Sequence, residues 1–182
     1  RRRADDQLLL ELLTAAVRDL PERHRTMRAT LEWSVSLLTP PQRAMLEDLG
    51  VFAERFTVDA VEALGEGRAW EGEILDGLAA LVDASLVKQT HIDGRGVLSL
   101  LAIVREYAIG RLKERGEADR MRAAHADYYH RLVERLAPEL RGTGQAAALP
   151  ELGLQLANLR AAIRHLVYTG RLDDAADFAW RM

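Results

Sequence analysis

The sequence predicts a mainly α-helical chain broken once by a small β-hairpin. Three observations predict it. Apolar residues recur at three- and four-residue spacing through most of the 182 residues. The stretch LVKQTHIDGRGVLSL, residues 86–100, instead alternates apolar and polar side chains about a polar, Gly-containing loop. Cysteine is absent, so no disulfide or thiolate metal site shapes the fold.

Each element follows in order. Asp5–Arg18 carries Leu8, Leu9, Leu12, Leu13 and Val17 at helical spacing, and Pro21 ends it. A second helix is expected over Thr26–Leu38, with Met27, Leu31, Val35 and Leu38 on one stripe. Thr39-Pro40-Pro41-Gln42 stops that helix and starts another. Thr39 can cap, proline is tolerated in a first turn, and Gln42 completes a capping box. The new helix buries Met45, Leu46 and Leu49 and ends at Gly50; Phe52 and Phe56 flank a short connector. Thr57 caps a helix with Val58, Val61 and Leu64, closed by Gly65. After a loop over residues 65–72, Glu73–Ser85 is helical with Ile74, Leu75, Leu78, Leu81 and Val82 inward. In the hairpin, Gly94 and Gly96 are the residues able to take positive φ. Ile103–Arg115 returns to helix, with Val104, Tyr107, Ala108 and Leu112 on one face and Gly116 as its stop.

From Ala118 onward the pattern holds long helices only. Met121, Ala124, Tyr128, Leu132 and Leu136 line one; Leu156, Leu159, Ile163 and Leu166 line the next; TGRLDDAADFAW begins a third, with Ala175, Ala176 and Ala179 at close-packing positions. This is the texture of an antiparallel helical-hairpin repeat of the tetratricopeptide-like kind. Helix, hairpin, helix before it is the layout of a winged helix. The expected organisation is a helical lead-in over residues 1–19, a winged-helix domain over 20–116, and the start of a helical array over 117–182. The chain opens at Arg1 and closes within an amphipathic pattern that includes Leu172 and Trp180, so we expect an internal piece of something longer.

Charge narrows the function. The net charge of −3 offers no global basic field for nucleic acid. A DNA-reading helix needs Arg, Lys, Asn or Gln on its outer face. The helix before the hairpin, EILDGLAALVDAS, has Glu73, Asp76, Asp83 and Ser85 and no cation. DNA contact through it is therefore not expected. The basic residues cluster instead at Arg1–Arg3 and around Pro21. Arg23, Arg25 and Arg28 are candidates for a phosphate or interdomain contact; a solvated loop and helix face is the alternative.

Catalytic and metal chemistry find little support. No phosphate-cradling glycine loop occurs. His125 and His130 are five apart, about 140° from each other around a helix, which suits two solvent-side histidines rather than a metal site. Asp5-Asp6 and Asp173-Asp174 read as caps at helix starts. The serines have no nucleophile-elbow context. No enzyme activity, metal or cofactor is expected within these residues. No run approaches a membrane span, no signal peptide is legible, and the lack of cysteine suits a cytoplasmic location.

Several segments carry a family resemblance. LPERHRTMRATLEWSVSLLTPPQRAMLEDLGVF (residues 20–52), LDGLAALVDASLV (75–87) and LLAIVREYAIGRL (100–112) resemble the lid-to-winged-helix region of bacterial signal-transduction ATPases with numerous domains, NB-ARC-like regulators of the LuxR or SARP kind. HADYYHRLVERLAPELRG (125–142) and LANLRAAIRHLVYTGRLDDAADFAW (156–180) resemble the tetratricopeptide-like array that follows in them. The resemblance implies a fragment of a transcriptional regulator whose parent binds ATP or ADP in an upstream nucleotide-binding domain. It implies that the winged helix packs on that domain as a switch and that the repeats bind a partner protein or a ligand. Direct DNA binding by the winged helix is the alternative. Related eukaryotic proteins carry Met-His-Asp after the wing, and bacterial ones Leu-Leu-Glu-Thr. The matching residues here are Leu100, Leu101, Ala102 and Ile103, and an apolar Leu101 offers a phosphate no hydrogen bond. Arg105 and Glu106 keep the pattern VREYA and are candidates either for a local surface pair or for an interdomain contact.

Overall fold

The structure, a computed structural model, describes residues 26–70, 72 and 74–182. The helix expected over Asp5–Arg18, the basic residues Arg1–Arg3, Arg23 and Arg25, and Glu73 lie outside them. Two compact units occur, one reaching to Leu38 and one spanning Thr39–Met182. In the first, residues 26–36 form helix α1, on which Leu31 and Val35 share a buried stripe while Met27 is exposed, against expectation.

The second unit begins with α2 (Pro40–Leu49). The Thr39 hydroxyl accepts from the Gln42 amide, and the Gln42 side chain accepts from the Thr39 amide, so the capping box read from the sequence forms. Strand β1 (Arg55–Phe56) follows, then α3 (Val58–Gly65), capped by Thr57 through the Ala60 amide. Next come α4 (Ile74–Asp83), β2 (Val87–Ile92), β3 (Arg95–Leu100) and α5 (Ala102–Glu114). This is a winged helix: α2, α3 and α4 pack together, and the hairpin forms the wing.

Two sequence expectations need correction here. The connector after Gly50 contains a strand: Arg55 and Phe56 pair antiparallel with Ser99 and Leu98, giving a three-stranded sheet in the order β1-β3-β2. A two-residue strand shows no alternation, so only its partner reveals it. The hairpin turn is Asp93-Gly94, at φ of 50° and 77°, between the paired residues Ile92 and Arg95. Gly96 instead sits in β3 opposite His91. Positive φ at two successive central residues gives the twist that a two-residue hairpin turn needs.

Three long helices complete the unit: α6 (Ala118–Leu140), α7 (Gln145–Tyr168) and α8 (Leu172–Arg181). The short connections make α6 and α7 an antiparallel hairpin, with α8 packed against both. Tyr129, Leu159, Leu166 and Phe178 are completely or almost completely buried there. Several facing residues differ from expectation. On α8, Ala175 and Phe178 go inward while Leu172, Ala176, Ala179 and Trp180 face out; Leu156 on α7 is exposed. Asp173 and Asp174 occupy the first turn of α8 without capping it, because Arg171 holds the cap position and pairs with Asp174 at 2.7 Å.

The core of the winged helix gathers Met45, Leu46, Leu49, Phe52, Phe56, Leu81 and Trp70. Phe52 and Phe56 stack with ring centroids 4.3 Å apart. On α4, Leu78 and Leu81 are buried, each contributing roughly 1.5–3 kcal/mol by leaving water. Leu75, expected inward, is 66% exposed. Gly50 fits where it does because a Cβ there would lie 2.8 Å from both the Ala108 Cβ and the Ile109 backbone nitrogen on α5.

Candidate functional site

In a winged helix, the helix before the wing and the wing itself make the outward face. Here that helix is α4. Its exposed side chains are Leu75, Asp76, Ala79 and Asp83. No ion pair engages either aspartate among the described residues, so both carboxylates face solvent. Against a duplex they would face phosphates and add repulsion, with no cation to release counterions. The wing contributes exposed Lys88, Gln89 and His91. Its tip residue Arg95 is drawn toward the helical hairpin by Glu151 on α7, at 3.2 Å. The outward face therefore pairs an acidic, partly apolar helix with a weakly basic wing.

Inside the domain lies a polar floor that the sequence reading passed over. Asp48, on the buried side of α2, is fully buried and accepts from Arg68 Nε and Nη2 and from the Trp70 indole nitrogen, each at 2.9 Å. Burial pushes the Asp48 carboxyl above its usual range, against the pull of Trp70 and Arg68. Arg68 also reaches Glu117 at 2.7 Å, and Arg115 reaches Glu47 at 2.6 Å. Together they tie α2 to the α3–α4 loop and to the α5–α6 junction. A signal was present: Asp48 lies three residues after Met45 on the stripe that Met45, Leu46 and Leu49 define.

A second polar knot joins the connector to the helical hairpin. Asn158, fully buried on α7, accepts from the Ala53 amide at 2.7 Å and donates to the Arg55 carbonyl. Its Oδ1 also lies 3.3 Å from His125 Nε2. Since that oxygen only accepts, His125 donates from Nε2. His125 is thus a buried histidine on α6, not the solvent-side one expected. Burial lowers its pKa to about 4. His130 is half-buried and pairs with Asp177 at 2.9 Å. The periodic reading erred because it placed Tyr128 on the inward stripe, whereas the helix turns Tyr129 and His125 inward.

The remaining candidates are placed as follows. Arg28 is exposed on α1, 3.5 Å from Glu32. Arg105 on α5 donates its Nε to the Phe52 carbonyl; burial lowers its pKa. Glu106 is exposed. Leu101 is exposed at the start of α5 and makes no side-chain cap. Among the described residues no group of His, Asp or Glu side chains is arranged to hold a metal ion, and no helix is long and apolar enough to cross a membrane.

Fold and surface define a winged helix-turn-helix domain carried on a helical hairpin, and comparison with known proteins agrees. The family profile described as a winged helix-turn-helix domain matches residues 38–113. A Mycobacterium tuberculosis protein provisionally named an HTH-type transcriptional regulator is 35% identical over 170 residues, which is 92% of this chain and 19% of that protein. Its Mycobacterium bovis counterpart matches equally. An uncharacterized Mycobacterium tuberculosis protein is 38% identical over 116 residues, 63% of this chain and 30% of that protein. The chain thus spans about a fifth of the length of the first of these relatives. No solved structure matches it.

Proposed function

We propose that the chain is a regulatory segment of an ATPase-type transcriptional regulator, in which the winged helix is a protein-facing switch rather than a DNA reader. Residues 1–19 would end the lid of an upstream nucleotide-binding domain that holds ATP or ADP. Residues 20–116 would form the switch, and residues 117–182 would open a tetratricopeptide-like array that receives a partner or ligand. Burial of one winged-helix face on the nucleotide domain holds a closed state, and nucleotide exchange shifts the population. Arg23, Arg25 and Arg28 are the candidates for the phosphate or interdomain contact. Glu106, exposed on α5, is a candidate for the interdomain surface, while Arg105 is engaged by Phe52.

One observation carries this reading: α4 presents Leu75, Asp76, Ala79 and Asp83 outward, a surface suited to protein and hostile to phosphate. A second reading, direct DNA binding, draws on the match of residues 38–113 to the winged helix-turn-helix profile and on the names of the mycobacterial relatives. Titrating the chain into a fluorescent duplex at low salt separates them. The switch reading expects no saturation below about 10 μM at roughly 50 mM salt. Tighter binding that weakens steeply with added salt would establish the second reading and defeat the first.

A further inference from the structure

We propose that the cleft between α5 and the α6–α7 hairpin binds a small organic anion with an apolar body. The cleft has a volume of about 640 Å³, within the range of small-molecule sites. Its floor is apolar, with Val51, Ile109, Leu112 and Ala161. Arg105 from α5, Arg122 from α6 and Arg164 from α7 also line the cleft, so three separate helices bring an arginine to one space.

These charges are unevenly met. Arg122 has Asp119 at 2.8 Å, the one carboxylate lining the cleft. Among the described residues Arg105 bonds the Phe52 carbonyl alone, through Nε, which leaves its terminal nitrogens for an occupant. Arg164 has no ion pair among the described residues. Of the two, Arg105 is half-buried, and a half-buried guanidinium without a carboxylate is costly unless an anion joins it, while Arg164 is exposed at the edge of the cleft. His125 and His165 also line the cleft. Burial lowers both below the ordinary histidine range, His125 to about 4, so His125 adds a neutral ring edge at neutral pH. Tyr168, 88% exposed, stands at the rim where it can lie against an aromatic ligand. Cationic walls over an apolar floor select a carboxylate or phosphate on a hydrophobic skeleton. The inference rests on the cleft alone and is independent of the nucleotide-switch reading.

The test uses the whole chain and calorimetry, with indole-3-acetate as the carboxylate probe, naphthyl phosphate as the phosphate probe, and indole-3-acetamide as the uncharged counterpart. At least one anionic probe should bind saturably below about 1 mM, and indole-3-acetamide should bind roughly tenfold more weakly than indole-3-acetate if the carboxylate is the preferred arm. Arg164→Gln should weaken the bound anion roughly tenfold without altering the melting temperature, since the side chain is exposed. Arg160→Gln, exposed on the same helix outside the cleft, should leave binding unchanged. Failure of both anions to saturate overturns the proposal. So does equal weakening by Arg164→Gln and Arg160→Gln, which would mean a diffuse surface effect.

Discussion

At the base of the winged helix, Asp48 is sealed from solvent and grips Arg68 and Trp70; on the outside of α4, Asp76 and Asp83 stand in water with no ion-pair partner among the described residues. The same side chain does opposite work in the two places. Inside, a carboxylate that meets a guanidinium and an indole N–H fixes how three segments sit together, and its removal strands the indole N–H and leaves Arg68 with Glu117 alone. Outside, a carboxylate contributes almost nothing to stability but sets the potential that a partner meets. The difference teaches that the acidity of this winged helix is not incidental to its fold. Asp48 is committed to partners within the fold, whereas Asp76 and Asp83 carry no ion pair among the described residues and meet whatever docks on α4.

Four experiments would break or sharpen that contrast. The largest effect should come from Asp48→Ala, which strands the Trp70 N–H and leaves buried Arg68 with Glu117 alone, and should cost about 3 kcal/mol in urea unfolding. A loss below about 1 kcal/mol would mean that the floor is not a staple. Next is pH. The His125 imidazole protonates near 6.5 when unfolded but only near about 4 when folded. Its contribution is therefore intact above 6.5 and is lost as pH falls toward 4, amounting to roughly 3 kcal/mol in all. The His125 share near pH 5 should be about 2 kcal/mol less favourable than at neutral pH, so the fall in stability over that range should be smaller in His125→Gln than in the parent chain. Third, Gly50→Ala should destabilise by about 1–3 kcal/mol, because its new methyl would press on the α5 backbone and Ala108. A neutral result in thermal unfolding would show that α2 and α5 can part. The smallest effects should come from α4. Asp76→Ala removes an acid from the first turn and should lose about 0.5 kcal/mol. Asp83→Ala removes one from the unfavourable C-terminal end and should gain about as much. A large loss at either position would erase the distinction between interior and surface acids.

Much of the fold was legible because it is written in local chemistry. Thr39 and Gln42 capped α2 as read, Thr57 capped α3, and the 86–100 stretch formed the wing. The acidic outer face of α4 was legible too, since Asp76 and Asp83 fall where helical geometry puts them outward. The candidate sites were less legible. Arg105 and Glu106 are neighbours in sequence, yet Arg105 bends back to a carbonyl 53 residues away. Nothing near it announces Phe52 as its partner.

Residue order by itself determined the caps of α2 and α3, the winged-helix layout and the sign of charge on α4, because caps, turns and side-chain periodicity act over a few residues. Tertiary structure alone decided that Arg55–Phe56 is a strand, that His125 is buried beside Asn158, and that Arg105, Arg122 and Arg164 line one cleft. Those outcomes require segments far apart in the chain to meet, and contact at that range is set by how the whole core packs.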